Sequence, residues 1–417
     1  MTPVRFALVG IGGYAAVYHE ALAQLIKSGK ARLVAVAEWN QYRFSSQLHA
    51  LRQSGVRIFK SYDEMLDQTG DSLDFVGLPV GIHLHAPMTI KALKKGVNVI
   101  CEKPIAATVQ EVDQMIQVRD AYRNQVLVGY QEIYSPSIQK IKSMMVEGKL
   151  GKLLAIKVKG GWPRPLSYYN RNQWGGRVRM AEHWVLDGIA NNAMAHYLNN
   201  MLYVASDQPQ ESARPVNVCA ELYRAWDIES YDTVTLRAQL DGGASLMFMA
   251  SHCSETEFHP EMTLRCEKAT LVRQLENGAT DVSYHNGKSE QFDDGGLNAR
   301  HHLFEVAVKR FHGATINYCS LEIARAQTLC INAMHESCPE IVNIPGKAIV
   351  KKKVMNPEHP KTGDYTKAIT GMDQMIETAY TREKLFSEMD ISWSQASTVF
   401  ELNAYSHFSH GTIFSLD

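Results

Sequence analysis

Residues 4–15 read Val4-Arg5-Phe6-Ala7-Leu8-Val9-Gly10-Ile11-Gly12-Gly13-Tyr14-Ala15, a short apolar run that ends in a glycine turn. Such a run, bounded by glycine, is the pattern of a strand buried on both faces. The turn matches G-x-G-x-x-[G/A], and Val17, Ala21, Leu22, Leu25 and Ile26 follow near helical spacing. After Gly29 a second apolar run, Leu33 to Ala37, predicts another strand, with Glu38 at its end, 28 positions beyond Gly10. A glycine triplet alone would say little. Strand, turn, helix, strand and acid in this order are what a dinucleotide site requires. Gly10 permits the tight turn, Gly12 lets a pyrophosphate approach the backbone, and Ala15 keeps the helix close to the sheet. The pyrophosphate would sit on the amide donors at the helix start, where Gly13 and Tyr14 lie. Glu38 would accept from both ribose hydroxyls and repel a 2′-phosphate, so NAD is expected rather than NADP. The plain alternative is a glycine-rich turn with a surface glutamate.

The alternation continues outward. Leu73 to Leu78 predicts a strand ending at Pro79, and Leu84 to Lys95 a helix ended by Gly96. Val97 to Cys101 is a further strand running into Glu102-Lys103-Pro104, and Val126 to Tyr130 completes the series. Strands separated by helical stretches imply right-handed crossovers and a doubly wound parallel sheet of the Rossmann kind. Ligands of such sheets lie beyond the carboxyl ends of the strands. Those ends are Gly10–Ala15, Glu38, Pro79–His83, Glu102–Pro104 and Tyr130–Gln131. The expected cofactor contacts are therefore Gly10, Gly12, Gly13, Tyr14, Ala15, Glu38, Pro79, His83, Glu102, Lys103 and Gln131.

Composition narrows the classes. The 417 residues are 45% hydrophobic and 21% charged, enough for more than one core. Lysine and arginine number 43 against 44 acids, a net charge of −1, which provides no global field for nucleic acid or an anionic membrane. No apolar run has the length of a membrane span, and the first residues lack a basic leader and a cleavage site. Seven cysteines without a C-x-x-C pair indicate neither a disulfide framework nor a zinc cluster. A reducing cytoplasm is the expected compartment.

Several motifs together resemble the glucose–fructose oxidoreductase / inositol dehydrogenase family, written Gfo/Idh/MocA. They are the turn at Gly10–Ala15, the stretch Asp74 to His85 (DFVGLPVGIHLH), and Glu102-Lys103-Pro104 preceded by Gly96-Val97-Asn98-Val99. The resemblance runs on through Val128-Gly129-Tyr130-Gln131 and more loosely to about Cys338. It implies a two-domain NAD(P)-dependent oxidoreductase acting on sugars, cyclitols and related alcohols. On that reading residues 1–131 form the dinucleotide-binding domain. Residues 132–340 form an α/β substrate and oligomerisation domain with a large, mainly antiparallel open sheet. Residues 341–417 are an extension that packs on the second domain or a neighbouring subunit. A homodimer or homotetramer is implied. The resemblance also puts Lys103 between nicotinamide and substrate, as hydrogen-bond donor or acid/base.

Beyond Ser135 the pattern changes. A helix near Ser137 to Glu147 leads into a strand, Leu153 to Val158, and then a loop carrying Trp162, Arg164, Tyr168, Tyr169, Asn170, Arg171 and Trp174. Its rings and polar groups could lie over a polyol, or the aromatics could pack at a domain junction. A helix is predicted over Asp187 to Val204, with Asn192 and His196 four apart on one face. The resemblance implies an aspartate and a histidine at this spacing, the histidine being the proposed acid/base; here Asn192 stands in place of the acid. Asp187 lies nine residues before His196 and off that face, and Glu182 and His183 fall in loop. Trp162, Arg164, Tyr169, Trp174, Asn192 and His196, with Lys103, are the expected substrate contacts.

Strands are predicted over Asn217–Arg224, Tyr231–Gln239, Ala244–Ser251 and Met262–Val272, with short connections that favour antiparallel pairing. His252 and His259 read as solvent-facing histidines without metal-site spacing. Helices are predicted over His302–Phe311, Ser320–His335 and Thr366–Phe386, and Lys351-Lys352-Lys353 as a solvated edge or turn. The leading function is an NAD-dependent dehydrogenase of a sugar or polyol, with Lys103 and His196 as catalytic residues, no metal, and a small-molecule partner. A glycoside hydrolase that uses the nucleotide transiently and a nucleotide-sensing regulator are the alternatives.

Overall fold

The computed structural model describes residues 2–274, 276–354 and 363–409, and the chain divides into two compact units. The first comprises residues up to 106, 110–134 and 297–325; the second comprises 107–109, 135–296 and the residues from 326 onward. In the first, six strands pair in parallel: β1 (Val4–Val9), β2 (Ala31–Ala37), β3 (Arg57–Phe59), β4 (Phe75–Leu78), β5 (Asn98–Cys101) and β6 (Val126–Val128). Their order is β3-β2-β1-β4-β5-β6, so the sheet reverses its winding at β1 and leaves a crevice at that strand's carboxyl end. Phe6, Ala7, Leu8, Phe75 and Val76 are fully buried, as strands covered on both faces must be. Phe6 stacks on Phe75 at 5.5 Å, and helix Ala299–Phe311 brings Phe304 to 6.1 Å from Phe6 and edge-on to Tyr18 at 5.0 Å. β3 escapes sequence reading because three residues are too few to show a period.

The second unit is built on a larger sheet. Its strands are β7 (Leu153–Gly161), then, after the small separate hairpin of β8 (Arg179–Met180) and β9 (His183–Trp184), β10 (Pro215–Arg224), β11 (Thr233–Leu240), β12 (Ser245–Ser251), β13 (Phe258–Cys266), β14 (Ala269–Gln274), β15 (Thr280–Tyr284), β16 (Ser289–Phe292) and β17 (Val342–Asn343). The order is β16-β15-β14-β13-β7-β12-β11-β10-β17. β7 with β12 and β10 with β17 run parallel, and the remaining neighbours along this path run antiparallel. The chain is thus α/β, a parallel Rossmann sheet followed by a mixed, mainly antiparallel one.

Two sequence expectations are corrected here. Met262–Val272 is not one strand: the chain turns at Glu267-Lys268, and β13 and β14 pair with each other. Thr366–Phe386 is not one helix. It opens as β19 (Tyr365–Ile369), paired with β18 (Ile349–Lys353), and becomes helical only at Met372–Arg382. The break falls at Gly371, whose φ of +79° is left-handed. Helix Met372–Arg382 then lays Met372, Ile376 and Ala379 into a cluster with Met247, Met249 and Phe386. Lys351, Lys352 and Lys353 lie exposed on β18, an edge as expected; residues 355–362 of the proline-bearing stretch fall outside the described residues.

One buried lysine ties together several segments on the helical side of the second unit. Lys142, on helix Pro136–Val146, is 2% exposed and donates to three carbonyls: Tyr203 (2.6 Å), Ser206 (2.8 Å) and Glu211 (3.0 Å). Tyr203 lies in the last turn of helix Ala195–Ala205, so the amine caps a carbonyl that the helix itself cannot pair, and burial pulls its pKa down to about 7. Replacing Lys142 by methionine keeps the aliphatic stem and leaves those carbonyls without a donor. The expected loss is about 2 kcal/mol, read as a fall of roughly 4–8 °C in Tm by scanning calorimetry.

Candidate active site

The glycine turn sits at the carboxyl ends of β1 and β2. Gly10 has φ of +87°, and a Cβ there would come within 3.2 Å of the Ala15 Cβ, so the turn and the small residue at the helix start require each other. Gly12 has no room for a side chain either, because the Phe44 ring would lie 2.5 Å from its Cβ. The Gly12, Gly13 and Tyr14 amides find no acceptor among the described residues, at the start of helix Ala15–Lys27. That is the donor set a pyrophosphate needs. Glu38 is 4% exposed; one oxygen accepts the Ile11 amide at 3.1 Å and the other the Asn40 amide at 2.7 Å. A carboxylate has about four acceptor positions, so the two ribose hydroxyls can still be served. The residues therefore fit a dinucleotide. Beside Glu38, Trp39 and Tyr42 are exposed, at 84% and 93%.

The next strand ends add the polar groups. Pro79 and His83 are partly buried, His83 in the first turn of helix Ile82–Lys94. Lys103 follows β5, partly buried, with the Lys103–Pro104 peptide cis. Glu102 turns away from the surface: it accepts from the Tyr18 hydroxyl at 3.1 Å and from the Lys103 amide at 3.0 Å. Burial raises its pKa, and the Lys103 charge opposes that rise. Tyr14, Glu102 and Gln131 meet at one crevice, which Tyr18 and Arg300 also line. Burial and the Glu102 charge raise the Tyr14 pKa.

Sequence reading missed three residues of this region. His85 is fully buried between the ends of β4 and β5, its Nδ1 2.7 Å from the Pro104 carbonyl and its Nε2 3.1 Å from that of Val80, and its neutral ring can donate to one of the two. Burial pulls its pKa down to about 4 and keeps the ring neutral. His19 Nε2 lies 3.0 Å from the Gly10 carbonyl and backs the turn; the helical spacing after Ala15 carries that signal only faintly. Arg300 comes from a helix 170 residues beyond β6, a proximity no local pattern carries.

In the second unit the helix bearing His196 starts only at Ala195. Asn192 therefore does not share a helical face with His196, contrary to the sequence expectation. Residues 189–194 are turns instead, with the Asn191 and Asn192 backbone amides both donating to the Gly188 carbonyl. Leu186, fully buried, takes a left-handed φ of +51°, a conformation that costs a leucine about 1 kcal/mol or more. The kink brings the Asp187 carboxylate onto Asn192. Oδ1 accepts the Asn192 Nδ2–H at 2.7 Å, and Oδ2 accepts the Gly176 amide at 2.7 Å. Asp187 is 5% exposed. The acid set aside as lying off the helix face is thus in direct contact with the asparagine that replaces the expected one.

The loop between β7 and β8 divides its aromatics. Tyr169 turns into the core cluster, 8% exposed, with its ring 5.4 Å from that of Trp226. Tyr168, passed over in the choice of contacts, lies between guanidiniums: Arg171 is 3.8 Å and Arg164 5.3 Å from its ring centre. Trp162 is partly buried, edge-on to Tyr197 at 5.7 Å, next to His196; Trp174 is 5.3 Å from Arg171. His252 is not solvent-facing. It is 2% exposed, its Nδ1 is 2.9 Å from the Trp162 carbonyl, and burial together with Arg164 pulls its pKa down to about 3. The described residues hold no group of three or more metal-ligating side chains, and no described helix is long and apolar enough to cross a membrane.

Comparison with known proteins agrees with this geometry. Residues 4–130 match the oxidoreductase family with an NAD-binding Rossmann fold, and residues 138–272 match the GFO/IDH/MocA C-terminal domain. An uncharacterized oxidoreductase of Rhizobium meliloti is 27% identical over 157 residues, 38% of this chain and 45% of that protein, so the match spans under half of that relative. Inositol 2-dehydrogenase of Rubrobacter xylanophilus is 23% identical over 354 residues, 81% of this chain and 93% of that enzyme. Among solved structures, the WlbA dehydrogenase of Bordetella pertussis in complex with NADH and UDP-GlcNAcA superposes with a TM-score of 0.66 at 20% identity. That alignment covers 81% of this chain and 97% of the other, a likeness of fold. The two matched segments together span more than half of the sequence, and the chain belongs to the Gfo/Idh/MocA family of NAD(P)-dependent oxidoreductases.

Proposed function

We propose that this protein is an NAD-dependent dehydrogenase that interconverts a secondary alcohol and a ketone of a sugar, cyclitol or related polyol. The observation that carries the reading is the gathering, at the carboxyl ends of β1, β2 and β5, of unpaired turn amides, the Glu38 carboxylate and Lys103. NAD, when bound, supplies the hydride acceptor at its nicotinamide ring. When the alcohol is oxidised, its C–H bond breaks with both electrons leaving as hydride, its O–H proton leaves to a base, and the C=O bond forms. Lys103 is the residue proposed to hold that proton at the reacting oxygen, and to return it in the reverse direction. Glu38 sets the nucleotide preference. His196 and Asn192 are proposed substrate contacts, with His196 a second acid/base candidate.

Asp187 gives Asn192 a defined role in this proposal. A carboxylate only accepts, so the Asn192 NH₂ must face Asp187 and its amide oxygen must face away. The contact fixes the orientation of the Asn192 amide group and holds a carboxylate behind it.

The deciding experiment incubates the protein with NAD or NADP and a panel of polyols, their acids and glycosides, and follows NADH fluorescence. NADH should appear with one compound, and Lys103→Ala should lower the rate by about 10²–10⁴ while NAD still binds. Release of sugar from a glycoside without net NADH would overturn the dehydrogenase reading. Glu38→Ser should weaken NAD about tenfold, the worth of one charge-assisted hydrogen bond, and reduce the preference over NADP. Asn192→Asp would set two carboxylates in hydrogen-bond contact, able to share one proton. Its activity should fall as pH rises through the raised pKa of the pair, in a range where the parent protein is flat; matching pH–rate profiles would remove Asp187 from this role.

A further inference from the structure

The loop after β7 carries more positive charge than the structure neutralises. Arg171 is exposed and Arg164 partly buried, and both guanidiniums stack on the Tyr168 ring. Arg164 also lies 5.2 Å from the Trp162 ring. Neither forms an ion pair among the described residues; the hydrogen bond of Arg171 goes to the uncharged Tyr168 carbonyl. Arg177, a few residues on, shows the ordinary alternative, paired with Glu229 at 2.7 Å. The neighbouring His252 is kept neutral and contributes no counter-charge problem of its own. Two buried donors in the same loop, the Trp162 indole N–H and the Arg164 Nε–H, have no acceptor among the described residues. Donors here exceed acceptors.

The loop is tied to the proposed substrate contacts. Trp162 meets Tyr197, the residue after His196, and burial, with the Asp187 charge, raises the Tyr168 pKa while the arginines oppose it. Asp187 itself accepts from the Asn192 side chain and from the Gly176 amide. A pair of planar cations held on one ring, of which Arg171 spends one N–H on the Tyr168 carbonyl, is a device for an oxygen-rich anion: stacking restricts the side chains and leaves the remaining in-plane N–H groups to bond.

We propose that Arg164 and Arg171 bind an anionic group of the substrate, so that the polyol is an acid or a phosphate ester rather than a neutral sugar. The shared chemistry is a carboxylate or phosphate that accepts two parallel N–H bonds. The inference rests on the dehydrogenase reading in that it places substrate at this loop.

The test is calorimetric titration of the NAD-loaded protein with paired ligands: D-glucuronate, D-galacturonate and D-glucose 6-phosphate against D-glucose, D-galactose and myo-inositol, with inorganic phosphate as a bare-anion probe. At least one anion should bind tenfold or more tightly than its neutral parent, and its affinity should weaken as NaCl is raised. The uronate and phosphate arms say which anion is meant. Arg164→Gln and Arg171→Gln should each reduce the anion-to-parent ratio about tenfold, and Lys at either position should restore part of it. The proposal falls if the neutral parents bind as tightly, if no anion binds, or if the preference survives in the double Gln variant. NADH fluorescence in the same samples separates the two readings. A neutral polyol that yields NADH keeps the dehydrogenase and removes the anion site; a tightly bound anion with no NADH from any compound does the reverse.

Discussion

A parallel sheet makes every strand leave from the same edge, and the chain must resolve several turns of backbone within one narrow zone. At β1 and β2 the solution is a carboxylate. Glu38 accepts the amide of Ile11 across the strand boundary and that of Asn40 within its own turn, so both turns are fixed by one buried side chain. At β4 and β5 the solution is an imidazole, His85, set between the Val80 and Pro104 carbonyls. Once these internal demands are met, the turn amides that remain are the ones that face outward. The dinucleotide cradle is thus the residue of an incomplete hydrogen-bond ledger, left open where the fold switches direction.

The second unit uses the same economy with a different chemistry. A carboxylate buried to 5% exposure must be satisfied, and Asp187 is satisfied by an amide of the Gly175-Gly176 turn and by a side-chain amide. The left-handed Leu186 is the conformational cost of aiming it there. Asn192 is thus a neutral side chain backed by a carboxylate, in turns that precede the helix of His196.

Much of the first unit was legible in sequence because its strands are buried on both faces and its helices amphipathic, and both leave clear periods. The strand-end residues Gly10, Glu38 and Lys103 could then be read from chain order alone. What could not be read depends on contacts between distant residues. Arg300 reaches the crevice from a helix far along the chain, and His252 is buried by a loop ninety residues earlier. The helix predicted from Asp187 starts eight residues later, at Ala195: Ile189 and Ala190 are apolar but are buried in turns rather than in a helix. That error hid Asp187, since helical geometry places it away from Asn192 and turn geometry places it alongside. Short strands such as β18 and β19 were lost for a related reason: five residues of mixed polarity fit either period.

The aromatic loop illustrates how a single residue step changes a role. Tyr168 and Tyr169 are adjacent and chemically identical, and no pattern in the sequence distinguishes them. In the structure Tyr169 completes a core with Trp226, which fixes the backbone and obliges the next ring to point elsewhere. Tyr168 then becomes a platform, edge-on to Tyr169 at 5.2 Å and held against His252 at 5.5 Å. A guanidinium on such a rigid ring loses less freedom when it takes a partner than one on a flexible stem. Hydrophobic packing, one of the two alternatives for this loop, is thus what Tyr169 does, and it fixes the backbone from which Tyr168 projects.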